Sequence, residues 1–215
     1  MRLEMDYFSL GVVGFVVGLS GAMLPGPLLA YTISRVLKGR IRDTLLIVLG
    51  HIFIEAVMVV LLLLGLKQTI GSKVVHNVLS VLGGGVLVLM GLHIILKTPQ
   101  LKVESAKSYR DKSTKELNLI LGGVFFTAFN PTFPTWWVSV GASLLSRSLR
   151  VGAIGVVSLA LGHWLADFSW FSSLSFAVHR GKSLLNDRRY QKVLKIIGII
   201  LIGIGSYFIV QIITL

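Results

Sequence analysis

Apolar residues fall into six long stretches, at 7–33, 44–66, 75–96, 117–145, 151–178 and 193–215, with polar residues gathered between them. Each is near the ~20 residues needed to cross a ~30 Å hydrocarbon core. All six are predicted to be helices, because a span surrounded by lipid must satisfy its own backbone hydrogen bonds. The first begins too close to the terminus for a charged leader region, and no Ala-x-Ala-like site follows it. It reads as a retained helix rather than a cleaved signal peptide.

The polar segment 97–116 divides the chain into two sets of three helices, 1–96 and 117–215, with recurring signatures. Helices two and five share Gly-His-x-x-x-acid, as Gly50-His51 to Glu55 and Gly162-His163 to Asp167. Helices three and six share glycines seven apart, Gly84/Gly91 and Gly198/Gly205. Helices one and four each carry a proline break, Pro25-Gly26-Pro27 and Asn130-Pro131-Thr132. Three is odd, so the second set crosses the membrane in the opposite sense. The predicted fold is an all-α polytopic membrane protein of six transmembrane helices in two inverted three-helix repeats, joined by a cytoplasmic polar linker.

Composition agrees with that class. Hydrophobic residues make up 54% of the chain and charged residues 14%, with a mean hydropathy of +0.82, more apolar surface than a soluble core of this size needs. The absence of cysteine excludes disulfides, thiolate metal sites and cysteine nucleophiles. The net charge of +12 raises nucleic acid as a partner, but only Tyr109 and Tyr190 interleave with the basic residues. The distribution of Lys and Arg has a simpler reading. Residues 35–42, 97–115 and 180–195 hold 4, 6 and 6 of them, against 5 on the other side. By the positive-inside rule the odd-numbered loops are cytoplasmic and both termini outside, and the charge favours anionic lipid rather than nucleic acid.

Of nine carboxylates, only Glu55 and Asp167 lie inside apolar stretches. A charge at the centre of a membrane helix costs roughly 2.5–3.5 kcal/mol on insertion scales, so such groups face a cavity or a partner. His51 and Glu55 project from one face of their helix, as do His163 and Asp167. A self-neutralising pair that fixes packing could account for one occurrence but accounts for the duplication less well. Zinc hydrolysis has a donor set here, but there is no His-Glu-x-x-His and no separate base. At the proline breaks, Pro25, Pro27 and Pro131 lack a backbone N–H, Gly26 accepts unusual dihedrals, and Asn130 offers side-chain donors and acceptors. Freed carbonyls and the start of the following half-helix, around Thr132 in the second case, can then hold a carboxylate or an ion.

Other features read more plainly. Gly11, Gly14, Gly18 and Gly21 form a small-residue seam for close helix packing. Gly83-Gly84-Gly85 is read similarly. Trp136 and Trp137 are read as interfacial or packing residues, and His93, which aligns with Tyr207, as a packing residue.

Pro25-Gly26-Pro27, the basic turn Gly39-Arg40, Gly50 with its intramembrane acid, and Asn130-Pro131 together resemble the LysE-type translocators, small bacterial and archaeal exporters of amino acids. The resemblance covers nearly the whole chain, and its first third carries the most specific motif. It implies six helices in two inverted triplets, homodimers, and export driven by the proton motive force. An Asp is frequent in the family where this chain has Glu55. Relatives in the wider superfamily export neutral amino acids, cadmium or other metal ions.

The function expected is therefore a proton-coupled exporter of amino acids, basic ones such as lysine or arginine being the candidates, in the cell membrane. It is a secondary transporter rather than an enzyme, and calls for no cofactor. The breaks at Pro25–Pro27 and Asn130–Thr132 would bind the α-carboxylate and α-ammonium. Glu55 and Asp167 would meet the cationic part or exchange protons, with His51 and His163 tuning them. Two alternatives stand beside this reading. One is a metal-cation exporter with His51, Glu55, His163 and Asp167 as ligands; the other is a non-transporting membrane scaffold whose polar loops recruit partners.

Overall fold

A computed structural model of the chain describes residues 6–38, 41–97, 115–182 and 187–214. The Gly39-Arg40 turn, Arg2 and residues 98–114 of the polar linker lie outside the described residues. The described chain is helical. Its elements are α1 (Tyr7–Ala22), α2 (Pro27–Lys38), α3 (Asp43–Leu63), α4 (Lys67–Ile70), α5 (Lys73–Lys97), α6 (Glu116–Ala128), α7 (Thr132–Trp136), a π-helical turn (Trp137–Gly141), α8 (Ala142–Ser148), α9 (Ala153–Lys182) and α10 (Asp187–Thr214).

Two of the six predicted stretches are not single helices. The first opens with Asp6 as cap, whose carboxylate accepts the Ser9 N–H at 2.8 Å; that bond holds its carboxyl below the ordinary value. Helix α1 then stops at Ala22, and α2 starts on Pro27, a position where a missing N–H is no loss. The two segments meet at 79°. The fourth stretch starts as α6, only 13 residues long, breaks at Asn130, and resumes as α7, the π-helical turn and α8. Four helical segments are long and apolar enough to cross a membrane, Asp43–Leu63, Lys73–Leu96, Ala153–Gly181 and Gln191–Ile212, and the bent pair makes a fifth candidate.

Glycine seams join these helices in pairs. Gly11 lies against Ser158 and Gly162, Gly14 against the Leu159 carbonyl and Gly18 against His163, so α1 runs parallel to α9. Gly50 lies against the Ile120 carbonyl, Gly123 against that of Ile47, and Thr127 one turn on against His51; the rise from 47/123 to 51/127 makes α3 parallel to α6. A Cβ added at Gly84 would sit 2.6 Å from the Gly205 carbonyl oxygen, and one at Gly91 would sit 2.5 Å from that of Gly198. That register makes α5 and α10 antiparallel. In each seam the backbones approach more closely than any side chain allows, which is how small residues drive helix association without a hydrophobic gain.

The buried apolar residues gather along these pairings. Leu87, Ile94, Leu194, Leu201 and Phe208 pack between α5 and α10, with Ala30 and Leu37 of α2 joining them. A second cluster sets Ile47 and Val48 of α3 against Leu119 of α6, Leu28 of α2 and Phe171 of α9. The outer surface is apolar as well, with Phe8, Leu89, Leu96 and Ile199 exposed, which suits lipid rather than water. His93 departs from the packing role read from the sequence. It is exposed, because α5 turns its Gly84, Leu87, Gly91 and Ile94 face to α10 and leaves His93 off that stripe. Its counterpart Tyr207 is exposed too.

Candidate functional site

The two Gly-His-x-x-x-acid signatures converge. Gly50 draws α3 onto α6, and the next residue, His51, meets Thr127 one turn further along that neighbour, its Nδ1 lying 2.9 Å from Thr127 Oγ1. Gly162 draws α9 onto α1 in the same way, and His163 then sits between Gly18 and the two tryptophans. The acids follow one turn later on the same faces. His51, Glu55, His163 and Asp167 are all buried, the carboxylates 2% and 1% exposed.

The separations show which groups bond and which merely face each other. His163 Nε2 and Glu55 Oε1 are hydrogen-bonded at 2.9 Å. His51 Nε2 stands 3.6 Å from Glu55 Oε1 and 3.6 Å from Asp167 Oδ1, and His163 Nε2 stands 3.6 Å from Asp167 Oδ2. A separation of 3.6 Å is beyond hydrogen-bond range. Trp137 Nε1 donates to Glu55 Oε1 at 3.4 Å. Glu55 Oε2 and Asp167 Oδ2 are buried without a hydrogen bond, and buried polar atoms of this kind call for an explanation.

Both helix breaks reach the same place. A cavity of about 50 Å³ is lined by the four titratable side chains together with Gly26, Asn130 and Thr132. The breaks also touch each other, since a Cβ on Gly26 would lie 3.0 Å from Asn130 Nδ2. Asn130 Oδ1 accepts the Thr132 N–H at 3.2 Å and its O–H at 2.8 Å, which fixes the turn between α6 and α7. The prolines shape this region without lining the cavity. Pro25 is exposed, Pro27 is buried at the start of α2, and Pro131 is buried where α5 passes at Gly83.

Sequence reasoning missed part of the wall. Trp137 is 3% exposed and aims its indole N–H at Glu55, so it is no interfacial residue. The π-helical turn begins at Trp137, and π-bulges in α-helices are frequent at functional sites. Trp136 and Trp137 both pack on the His163 ring, with centroids 5.0 and 5.1 Å away. Phe133 and Phe171 flank His51. Thr127 had one faint signal in its favour, its place in the helical turn before the fourth-stretch break.

At about 50 Å³ the cavity holds about three to five waters on the ~10–15 Å³ that one water needs. It is too tight for a solute with a long basic side chain, and the site must widen to take one. Its lining mixes two imidazoles and two carboxylates with indole and phenyl rings, a set able to hold a cation, exchange a proton, or both.

The family model for the LysE type translocators matches residues 19–212, nearly the whole chain. No curated protein and no solved structure matches it.

Proposed function

This chain belongs to the LysE type translocators, a family of membrane transporters, and from that premise we propose that it exports amino acids in exchange for protons. The observation that carries this reading is the single cavity shared by both helix breaks and by all four buried titratable groups. In the widened site the first turn of α2, where Leu28 and Leu29 reach the cavity, faces the α-carboxylate with the positive end of its dipole. Asn130 and Thr132 offer polar groups to the α-ammonium. Glu55 and Asp167 hold a cationic side chain or a proton, which makes lysine and arginine the first candidates. As access alternates, an acid that is loaded on one face releases its proton on the other.

The helix pairings support an arrangement of two inverted three-helix repeats, 1–96 and 117–215. Exchanging the first set for the second turns the parallel α1–α9 pair into the parallel α6–α3 pair. It returns Gly84–Gly205 as Gly198–Gly91, a contact also present. The exchange relates His51 to His163 and Glu55 to Asp167 across one cavity. Six crossings then require the bent α1–α2 pair and the broken α6–α8 segment each to count as one. With 16 of 21 Lys and Arg on the odd-numbered loops, those loops lie in the cytoplasm and both termini outside. The protein works as a homodimer in the cell membrane.

Counterflow in proteoliposomes with a panel of labelled amino acids tests the reading. Uptake of at least one amino acid, stimulated by a pH gradient, is the expected result. A panel that moves no amino acid would refute it.

A further inference from the structure

The distances within the buried cluster do more than describe an acid–base pair. Three donor atoms from α3 and α9 gather in one place, His51 Nε2, a Glu55 oxygen and an Asp167 oxygen, and His163 Nε2 stands beside them on Glu55. Ligands about 2.0–2.2 Å from a tetrahedral zinc lie about 3.3–3.6 Å from one another. Three of the four imidazole–carboxylate separations are 3.6 Å, His51 facing Asp167 Oδ1 and His163 facing Oδ2. The donors of His51, Glu55 and Asp167 lie within 4.8 Å of one another. The fourth separation, His163 to Glu55 at 2.9 Å, is a hydrogen bond that holds the cluster together and opens when either group turns to a shared ion. Glu55 Oε2 and Asp167 Oδ2 are buried, without a hydrogen bond, at the cavity wall.

Thr127 supplies a second, independent argument. Its hydroxyl donates to the Gly123 carbonyl at 2.7 Å. Its one hydrogen is therefore spent, and toward His51 Nδ1, 2.9 Å away, it acts as acceptor. His51 then carries its proton on Nδ1 and turns the Nε2 lone pair toward the two carboxylates. An imidazole locked in this way by an outer hydrogen bond is how metal-ligating histidines are oriented in general. Charge fits as well, because two carboxylates and a divalent cation form a neutral unit, the form that a low-dielectric interior penalises least. The cavity, tight for a long basic solute, has room for an ion.

We propose that His51, Glu55 and Asp167, joined by His163 once its hydrogen bond to Glu55 opens, form a binding site for one divalent transition-metal ion, zinc being the best match. A donor set of two nitrogens and two oxygens without sulfur favours Zn²⁺ over softer ions and over Ca²⁺ or Mg²⁺. Metal occupies the narrow form of the site and excludes both proton exchange and the exported solute. Thr127 is a positioning residue that acts through His51.

The test uses the full chain, purified in detergent and stripped of metal, titrated with Co²⁺ as a visible probe and then with Zn²⁺. The expected result is one Co²⁺ per chain with the strong visible absorption of a tetrahedral site, displaced by Zn²⁺. Asp167→Asn should lose it. Thr127→Val should weaken binding by roughly 10–100-fold, the usual cost of an outer-shell partner, and Thr127→Ser should restore it. No visible band, or affinity unchanged in both Asp167→Asn and Thr127→Val, overturns the proposal. Amino-acid counterflow in metal-free buffer separates this inference from the transport reading. Exchange by a chain that binds no Co²⁺ leaves export standing and removes the metal site, and Co²⁺ binding by a chain that exchanges no amino acid does the reverse.

Discussion

Glu55 and His163 lie 108 positions apart in the chain and are joined by a 2.9 Å hydrogen bond in the interior, while Glu55 stands 3.6 Å from His51 on its own helix. The closer pairing is the one across helices. A self-neutralising pair within each helix therefore misses the arrangement. The two signatures form one four-membered cluster, and Glu55 on α3 is a hydrogen-bond partner of His163 on α9.

That coupling sets the first prediction. Glu55→Gln and Asp167→Asn each keep the shape of the site while removing an exchangeable charge. Each is expected to abolish accumulation driven by a pH gradient in proteoliposomes, and at least one is expected to retain downhill exchange. Gradient-driven export at wild-type rates in both variants would make the acids structural.

The bend at Pro25–Pro27 sets the second. An interior proline costs a helix about 3 kcal/mol, but Pro27 begins α2, so much of that penalty is already avoided. In the double variant Pro25→Ala/Pro27→Ala, α1 and α2 are free to run on as one helix, without the 79° turn that brings Gly26 beside Asn130. A folded, well-expressed protein with exchange at least ten-fold below wild type is expected. Unchanged exchange would mean the bend is an ordinary kink.

Stability of the α5–α10 seam is the third. A Cβ at Gly205 would lie 2.5 Å from the Gly84 carbonyl, whereas one at Gly203, on the same helix, would meet nothing within 4 Å. Gly205→Ala should destabilise by roughly 1–3 kcal/mol through overpacking, and Gly203→Ala should be neutral or gain up to about 1 kcal/mol from helix propensity. Thermal unfolding in detergent reads the contrast. Equal melting temperatures would remove the close backbone approach from the account.

Orientation is the fourth. The chain has no cysteine, so single cysteines can be introduced without background. Arg42→Cys should react with an impermeant maleimide only after the cells are permeabilised, and Arg150→Cys should react in intact cells. The opposite pattern would invert the topology drawn from the basic residues.

Much of this was legible in the sequence, for physical reasons. Hydrocarbon penalises charge so heavily that Glu55 and Asp167 stood out against the apolar background, and both proved to line one cavity. The proline breaks were legible because proline removes a donor wherever it falls. Trp137 was not, since an indole in an apolar stretch carries no mark of whether its N–H meets lipid headgroup or carboxylate. Thr127 was hidden because a hydroxyl inside a helix can always bond back to its own turn, as this one does with Gly123. The direction of His93 was misjudged because the repeat fixes which positions correspond, not which face of the helix is covered.

The register of α5 on α10 has a consequence of its own. Gly84 meets Gly205 and Gly91 meets Gly198, and the seven-residue interval is the same on both helices. Each glycine thus finds opposite it the counterpart of its neighbour, and the contact is unchanged when the helices trade places. Joining surfaces of this kind require only one sequence, read twice in opposite directions. On the inverted arrangement proposed above, a single seven-residue glycine spacing therefore serves both sides of the seam.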